Sequence, residues 1–341
     1  MPCTITLRPR EPPPSILVSH LSSRSGSKRL HSLTRHSRNR RRPQVKIGVL
    51  GTGLMGAPMA LRLMSSGHKV WVYNRTPARL KPLELAGATV CRTPLDLVQS
   101  VEAIVVMVTN GAAVRSLFTE MGAGDRPSPL SDRTIIQMST IAPDESQTLS
   151  QIITQAGGTY LEAPVLGSIP EAKNGKLIVM VGASAEDYER WQPLLNCLGD
   201  TLYHLGPVGS AATLKLAMNQ LIGSLTTAFA QSLGLVQAAG LNADTFMAVV
   251  RQSALYAPTF DKKLHRMQTR QFTDPNFPAK HLLKDMELFV AAAESAGLAA
   301  FPAESVRQLV EQTVAAGFAD DDYAALFNIV SPQPQPGQPP D

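Results

Sequence analysis

A glycine-rich turn between an apolar run and a helix-like segment constrains the fold of this chain more than any other feature. The run Lys46–Leu50 leads into residues 51–56, which read Gly-Thr-Gly-Leu-Met-Gly, and a helix-like segment, 57–66, follows. A second apolar run, 69–74, comes next, so strand, turn, helix and strand form a complete βαβ unit. This order is typical of a parallel sheet that binds a dinucleotide, whereas the glycine pattern alone would also fit an unrelated α/β protein.

The three glycines of the turn each meet a separate requirement of such a site. Gly51 permits the tight turn, Gly53 lets a pyrophosphate approach the backbone, and Gly56 lets the helix pack closely on the strand. The phosphates are expected at the positive end of that helix, beside Leu54 and Met55. We therefore predict that all five residues bind the cofactor.

The end of the second strand indicates which dinucleotide is bound. A site specific for NAD usually places Asp or Glu there, against the ribose 2′-hydroxyl. This chain has Asn74, Arg75 and Thr76 instead, so no carboxylate repels a 2′-phosphate and Arg75 can pair with one. The sequence predicts NADP(H) in preference to NAD(H); the alternative is that Arg75 is a solvated charge at a strand end.

The pattern of apolar runs changes once along the chain. Short runs alternate with helical segments as far as residue 205, which predicts a parallel sheet covered by helices. The predicted strands are 45–50, 69–74, 103–108, Thr134–Gln137, Thr159–Glu162, 177–181 and Thr201–His204. From residue 208 to 327 the periodicity is helical, with breaks near 240–242, 256–258, 273–278 and 297–302. We predict an α/β Rossmann-type N-terminal domain followed by an all-α C-terminal domain.

The change from alternating to helical periodicity, together with the composition of the two chain ends, predicts four segments. Residues 1–43 are expected to be a disordered basic extension, 44–206 the NADP-binding domain, 207–330 a helical substrate and dimerisation domain, and 331–341 a disordered proline-rich tail. The cleft between the two middle segments is the expected active site.

The net charge of +5 does not by itself indicate a nucleic-acid binder. Residues 1–43 hold ten Lys/Arg and the single acid Glu11, so the rest of the chain is mildly acidic. A basic tail is weak support for nucleic-acid binding, because the positive charge should lie on a folded face. The tail fits an organelle transit peptide and an extension without function equally well. We expect a cytoplasmic protein, or a mitochondrial or plastid one if the tail is a transit peptide.

Two further features bear on partners and metals. The stretch 216–239 has no charged residue, but its eight polar side chains would be costly in hydrocarbon, so we expect a buried or interfacial helix in a dimer or tetramer rather than a membrane span. Cys3, Cys91 and Cys197 lie far apart without histidine partners, and His204 and His281 are isolated. We expect no metal site and a reducing compartment.

Four landmarks in order resemble the β-hydroxyacid dehydrogenase family, which includes 3-hydroxyisobutyrate dehydrogenase and the glyoxylate/succinic semialdehyde reductases. They are the turn 51–56, the loop 163–168, residues 206–209 leading to Lys215 and Asn219, and residues 277–281 leading to Lys284 and Asp285. The resemblance covers about 46–327, and residues 74–76 and 277–285 are most similar to the NADPH-dependent glyoxylate reductases of plants. It implies the same two-part fold and hydride transfer between NADP(H) and a small hydroxy acid.

The resemblance implies that Lys215 is the general acid and that Asn219, one helical turn on, fixes Lys215 or the substrate. Burial near the start of a helix would lower the pKa of Lys215 toward the working range, although a lone lysine there can also be a surface residue. The other implied site residues bind substrate or cofactor. They are Thr140, Leu166, Gly167, Ser168, Phe277 and Asp285 for substrate, and Thr140 and Lys284 for cofactor. Leu166 departs from the family, which usually has serine there, but the amides of the loop 163–168 could form an anion nest.

The predicted function is therefore the NADPH-dependent reduction of a short aldehyde-acid or keto acid, of the glyoxylate or succinic semialdehyde type, to the hydroxy acid. One alternative is oxidation of a β-hydroxy acid, as in 3-hydroxyisobutyrate dehydrogenase. A second is a non-catalytic interaction protein on the same fold, attached to nucleic acid by its basic N-terminus. Lys215 and Asn219 discriminate, because a protein without catalysis need not retain both.

Overall fold

The computed structural model describes residues 45–122 and 128–333. The predictions for residues 1–43, and for the tail beyond residue 333, lie outside these ranges.

A six-stranded parallel sheet forms the centre of the N-terminal part, in the order β3-β2-β1-β4-β5-β6. Its strands are β1 (Lys46–Leu50), β2 (Lys69–Tyr73), β3 (Thr89–Val90), β4 (Ala103–Val106), β5 (Thr134–Gln137) and β6 (Thr159–Glu162). In this sheet the predicted strands are confirmed to within two residues, and the two-residue β3 was missed. Because β1 is the central switch point of this order, the turn that follows it opens at the carboxyl edge of the sheet, where nucleotides bind in such folds.

Apolar side chains on both faces of the sheet explain why the strands are continuous apolar runs. Along β4, Ala103 and Val105 pack in one core, while Ile104 and Val106 pack in the other. Helices cover both faces: α1 (Gly56–Ser65), α2 (Lys81–Leu85), α3 (Pro94–Ser100), α4 (Gly111–Gly122) and α5 (Pro143–Gln155). The result is a three-layer α/β arrangement, as predicted.

The last predicted strands do not extend the large sheet. They form a separate three-stranded sheet, β7-β8-β9, in which β7 and β8 are antiparallel and β8 and β9 are parallel. Its elements are β7 (Val165–Leu166), α6 (Ile169–Asn174), β8 (Ile178–Val181), α7 (Ala185–Leu198) and β9 (Thr201–His204). The expectation of one parallel sheet was therefore wrong. The strand β7, which pairs antiparallel with β8, has only two residues, and so short a strand shows no alternation in the sequence.

The C-terminal part of the described chain is helical, as predicted. It contains α8 (Ser210–Ala238), α9 (Ala243–Gln252), α10 (Pro258–Thr269), α11 (Ala279–Ser295), α12 (Phe301–Thr313) and α13 (Phe327–Val330). Each predicted break falls between two of these helices. The described residues all lie in one compact unit, and the domain bounds 44–206 and 207–330 remain a prediction.

The 29-residue helix α8 is only partly buried. Ala230 and Leu233 are fully buried in the helical core, whereas Leu221, Leu225 and Leu235 are 49%, 38% and 74% exposed. One face of α8 is therefore buried in the helical core and the other is exposed in the single chain, and the expected subunit interface stays a prediction. No helix in the described part of the chain is long and apolar enough to cross a membrane.

Candidate active site

The glycine turn after β1 has the geometry of a dinucleotide cradle. Gly51 has φ +94° and a Cβ there would lie 2.2 Å from the carbonyl oxygen of Met107, while a Cβ on Gly56 would lie 1.9 Å from that of Gly51. Both positions therefore require glycine. Gly53 is different, because the nearest atom to its Cβ position is Nη1 of Arg79 at 3.7 Å. The open space over Gly53 fits a pyrophosphate that approaches the backbone.

Unpaired donors at the start of α1 support the same conclusion. The first turn of α1 has no acidic residue and no side-chain cap. The buried hydroxyl of Thr52 has no hydrogen-bond partner among the described residues. Free amides and a free hydroxyl at the positive end of a helix are suited to phosphate oxygens, so the residues present fit a nicotinamide dinucleotide.

Asn74 builds the turn, and the two residues after it face solvent. Its Oδ1 accepts from the amide of Thr52 at 3.1 Å, and its Nδ2 donates to the carbonyl of Thr76 at 3.1 Å. Arg75 and Thr76 are exposed. Asn74 therefore holds the glycine turn against the end of β2, and the side chain of Arg75 is exposed next to it.

Arg79 is a candidate that the sequence reasoning missed. It ends the short 3₁₀ helix Pro77–Arg79, and its guanidinium reaches the space over Gly53. It therefore lies between the positions expected for the pyrophosphate and the 2′-phosphate. The signal was available, since Arg79 is a second basic residue four positions after Arg75 and beyond a proline that turns the chain back.

A chain of buried polar side chains surrounds Lys215. Its Nζ donates to Oδ1 of Asn219 at 2.8 Å, and Nδ2 of Asn219 donates to Oδ2 of Asp285 at 2.5 Å. Lys215 is 9% exposed, and Asn219 and Asp285 are 2% exposed. The i, i+4 spacing on α8 places Lys215 and Asn219 on one face, and α11 supplies Asp285.

Lys284 continues this chain to the large sheet. Its Nζ lies 2.8 Å from Oδ1 of Asp285, which is an ion-pair contact without hydrogen-bond geometry. The same Nζ donates a hydrogen bond to the carbonyl oxygen of Thr140 at 2.6 Å. Thr140 follows β5 at the carboxyl edge of the sheet. One polar connection thus runs from the helical part of the chain to Thr140, three residues after β5. It consists of four predicted site residues: Lys215, Asn219, Asp285 and Lys284.

Burial lowers the pKa of Lys215 to about 8, and the charge of Lys284 acts in the same direction while Asp285 opposes both. The ammonium can therefore lose and regain a proton near neutral pH. Oδ2 of Asp285 accepts from Asn219, whereas its buried Oδ1 has the ion-pair contact with Lys284 but no hydrogen-bond partner among the described residues. Asp285 thus lies behind Asn219 as seen from Lys215, and its role toward substrate stays a prediction.

The loop 163–168 offers fewer free donors than the sequence predicted. Both the amide and the hydroxyl of Ser168 donate to Oε2 of Glu171, at 2.8 and 2.6 Å. This capping box holds the pKa of Glu171 below its usual value, mainly through the Ser168 hydroxyl. Gly167 has φ +131°, and a Cβ there would lie 2.8 Å from the side chain of Leu177. Leu166 lies in β7, where it pairs with Ile178 of β8. The predicted anion nest is therefore reduced to the amide of Gly167.

Phe277 lies just before α11, half-buried, with its ring edge-on to Tyr323 and stacked against His281. His204 stacks on Tyr188, and its Nε2 lies 2.9 Å from the carbonyl oxygen of Ala183. These contacts agree with the prediction that both histidines are ordinary polar residues.

Two family models match the chain. The NAD binding domain of 6-phosphogluconate dehydrogenase matches residues 46–206, and the NAD-binding domain of NADP-dependent 3-hydroxyisobutyrate dehydrogenase matches residues 209–330. The two matches meet between β9 and α8.

Curated relatives match over most of the chain. Glyoxylate/succinic semialdehyde reductase 1 of Arabidopsis thaliana is 30% identical over 84% of this chain and 98% of its own length. The chloroplastic glyoxylate/succinic semialdehyde reductase 2 of the same plant is 32% identical over 84% of this chain and 79% of its own length. Among solved structures, 3-hydroxyisobutyrate dehydrogenase of Mycobacterium tuberculosis has a TM-score of 0.75 and 24% identity over 84% of this chain and 99% of that chain. This structural likeness supports the fold.

Proposed function

We propose that this chain, which belongs to the β-hydroxyacid dehydrogenase family of NAD(P)-dependent oxidoreductases, reduces a short aldehyde-acid or keto acid to the hydroxy acid with NADPH. The observation that carries the proposal is the buried Lys215, with its lowered pKa, hydrogen-bonded to Asn219. The names of the plant relatives support substrates of the glyoxylate or succinic semialdehyde type. The alternative, oxidation of a β-hydroxy acid as in 3-hydroxyisobutyrate dehydrogenase, would use the same residues in reverse.

Three side chains support a preference for NADPH. Arg75 and Thr76 are exposed beyond β2, Arg79 reaches the space over Gly53, and no carboxylate stands at the end of the strand. Two guanidinium groups can pair with a 2′-phosphate, which NADH lacks. We propose that Arg75 and Arg79 discriminate between the two cofactors.

Lys215 supplies the proton of the reaction. When bound, the nicotinamide supplies the hydride. Because negative charge then develops on the substrate oxygen, an ammonium at Nζ of Lys215 stabilises the transition state more than the ground state and transfers its proton to that oxygen. The Oδ1 of Asn219 accepts one N–H of the ammonium, which orients the others. Asp285 holds Asn219 in the orientation that presents Oδ1 to the lysine.

The substrate carboxylate is proposed to bind at the loop 163–168. Ser168 is committed to Glu171 and Leu166 pairs with Ile178 of β8, so the amide of Gly167 is the loop donor left for it. Leu166 adds an apolar surface where the family usually has a serine. Thr140, at the Lys284 end of the polar chain, and Phe277, just before α11, are proposed to complete the site. This arrangement favours a small acid with an apolar segment over one that needs a hydroxyl contact.

We also propose that the exposed face of α8 pairs with a second copy of the chain. Leu221, Leu225 and Leu235 are exposed on a helix without charge from residue 216 to residue 238, and such a patch is costly in water. Replacing Leu221 and Leu225 together by Glu should yield a monomer in sedimentation analysis. The same double change at Leu85 and Leu95, which are exposed on the sheet domain, should leave the assembly unchanged.

The proposed location is the cytoplasm, with a mitochondrion or plastid as the alternative if residues 1–43 direct import; one relative is named as chloroplastic. The location of a fluorescent fusion, with and without residues 1–43, tests this.

The test of function is NADPH oxidation with glyoxylate, succinic semialdehyde and a series of short keto acids, and NADP⁺ reduction with 3-hydroxyisobutyrate. Turnover of an aldehyde-acid supports the proposal, and turnover of the hydroxy acid alone favours the alternative. A protein that binds NADPH but turns over none of these compounds would support the non-catalytic interaction protein.

A further inference from the structure

A buried carboxylate lies at the start of the helix that carries Lys215. Glu162 is the last residue of β6 and is 1% exposed. Its Oε1 accepts from the backbone amides of Gly209, Ala211 and Ala212 at 2.8, 2.7 and 3.3 Å. No side chain of α8 itself caps this end, so one oxygen from a different element satisfies three of the amides at the start of α8.

The second oxygen of Glu162 is also fully engaged. Its Oε2 accepts from the hydroxyl of Ser146 on α5 at 2.6 Å, and that hydroxyl lies 2.8 Å from the phenol of Tyr160. Because Ser146 donates to Glu162, Tyr160 donates to Ser146. Burial raises the pKa of Tyr160, so its phenol keeps the proton that it donates.

The four donors favour the carboxylate over the carboxylic acid. The pKa of Glu162 is raised overall, because burial outweighs the lowering by the bonds from Ser146, Ala211, Ala212 and Gly209. The preference for the carboxylate therefore rests on the hydrogen-bond geometry. All four contacts are donors, so a proton on Glu162 would break at least one of them. A negative charge also suits the positive end of α8.

The backbone of Glu162 ties the same residue to the small sheet. Its amide donates to the carbonyl of Gly182 at 3.1 Å, and the amide of Gly182 donates back at 2.9 Å. A Cβ on Gly182 would lie 2.3 Å from Oε1 of Glu162. Glycine is therefore required at position 182, where the carboxylate of Glu162 passes the end of β8. Glu162 therefore connects β6, α5, the end of β8 and α8.

We infer that Glu162 is a positioning residue that sets Lys215 relative to the substrate loop. Ala211 is four residues before Lys215 and on the same helical face, so fixing its amide fixes both the height and the rotation of the turn that ends at Lys215. The loop 163–168 begins at the residue after Glu162. One side chain thus joins the start of the proposed substrate loop to the proposed proton donor. This inference rests on the proposed function.

The test compares two isosteric variants. Glu162→Gln keeps the shape of the side chain but replaces one acceptor oxygen by a donor and removes the charge. Tyr160→Phe removes the hydrogen bond to Ser146 from the same buried network, and Ser146 and Glu162 separate Tyr160 from α8. Because an error of about 1 Å in the position of a catalytic group can cost up to about 100-fold, we expect kcat of Glu162→Gln to fall at least 10-fold.

A purely structural role would lower the melting temperature of both variants and leave kcat unchanged. We expect Tyr160→Phe to lose thermal stability and to retain kcat. Glu162→Gln should lose kcat while the Kd for NADPH stays within about twofold, since among the described residues no hydrogen bond joins the glycine turn to Glu162 or to α8. A kcat of Glu162→Gln within twofold of wild type would overturn the inference, as would an equal loss of kcat in Tyr160→Phe.

A second measurement needs no turnover. Hydrogen exchange at the amides of Gly209, Ala211 and Ala212, and the acetylation rate of Lys215, report the first turns of α8 directly. Both rates should change in Glu162→Gln and stay near wild type in Tyr160→Phe, and unchanged rates in Glu162→Gln would overturn the inference. If the wild type turns over no carbonyl compound, the proposed function fails, and these two rates still decide whether Glu162 positions the lysine.

Discussion

Asp285 lies behind Lys215, and its replacement by Asn should change the pH at which the enzyme works. In the direction of reduction, Lys215 must be protonated, so kcat/KM should be constant at low pH and fall as the pH rises through about 8. Asp285 raises the pKa of Lys215, and the two charges are separated by one amide group that is hydrogen-bonded to both. Removing the negative charge must therefore lower the pKa of the lysine.

The size of this change follows from the geometry. The two contacts of Asn219 place the charges about 7 Å apart, at which an effective dielectric constant of about 20 gives an interaction of about 2 kcal/mol. That energy corresponds to a displacement of the falling limb by about one to two pH units toward lower pH. Asn at position 285 also leaves Lys284 without its ion-pair partner, which acts in the same direction.

The assay is the pH dependence of kcat/KM for the carbonyl substrate at saturating NADPH. Asp320→Asn is the matched control, because Asp320 pairs with Lys280 of the same helix but is 84% exposed. We expect its profile to coincide with that of the wild type. A falling limb that stays in place in Asp285→Asn would refute the view that this carboxylate supports the charge of Lys215.

Two further predictions concern the cofactor and the helical core. Arg75→Ala and Arg79→Ala should each weaken NADPH binding by about 1–3 kcal/mol and leave NADH binding nearly unchanged, with exposed Arg115→Ala as the control; equal losses for both cofactors in a titration would contradict the assignment. Lys263→Met should lower the free energy of unfolding by about 3–5 kcal/mol in urea, because it removes the cation 2.7 Å from the buried carboxylate of Asp322 and leaves Arg266, 4.0 Å away, as the remaining ion-pair partner. Lys176→Met, which removes an exposed ion pair with Asp200, should change the unfolding midpoint little, and a similar loss in both variants would show that the burial of Asp322 is unimportant.

The sequence predicted those parts of the fold that depend on local periodicity. The strands β1, β2, β4, β5 and β6 are apolar on both faces because helices cover both faces, and the breaks between the last helices coincide with glycine and proline. The reversal at β7 could not be predicted, because two residues carry no period and the antiparallel pairing is a contact with β8.

In the candidate site, too, local spacing could be predicted and contacts between distant residues could not. Lys215 and Asn219 lie one helical turn apart, so their contact followed from spacing. The contacts of Asn219 with Asp285, and of Glu162 with the start of α8, join residues 66 and 49 positions apart, and no local pattern encodes them. The engagement of Ser168 could have been predicted, because Ser168 and Glu171 have the spacing of a capping box, but the prediction of an anion nest did not include Glu171.

Replacement of Lys215 by Ala tests the central claim most directly. The Ala variant removes the proton donor and leaves the glycine turn untouched, so turnover should fall by a factor of about 10²–10⁴. NADPH affinity, measured on the same preparation, should change little, and exposed Lys176→Ala should behave as wild type in both measurements. A Lys215→Ala protein with near-normal turnover would contradict the account, because the proton would then come from another group.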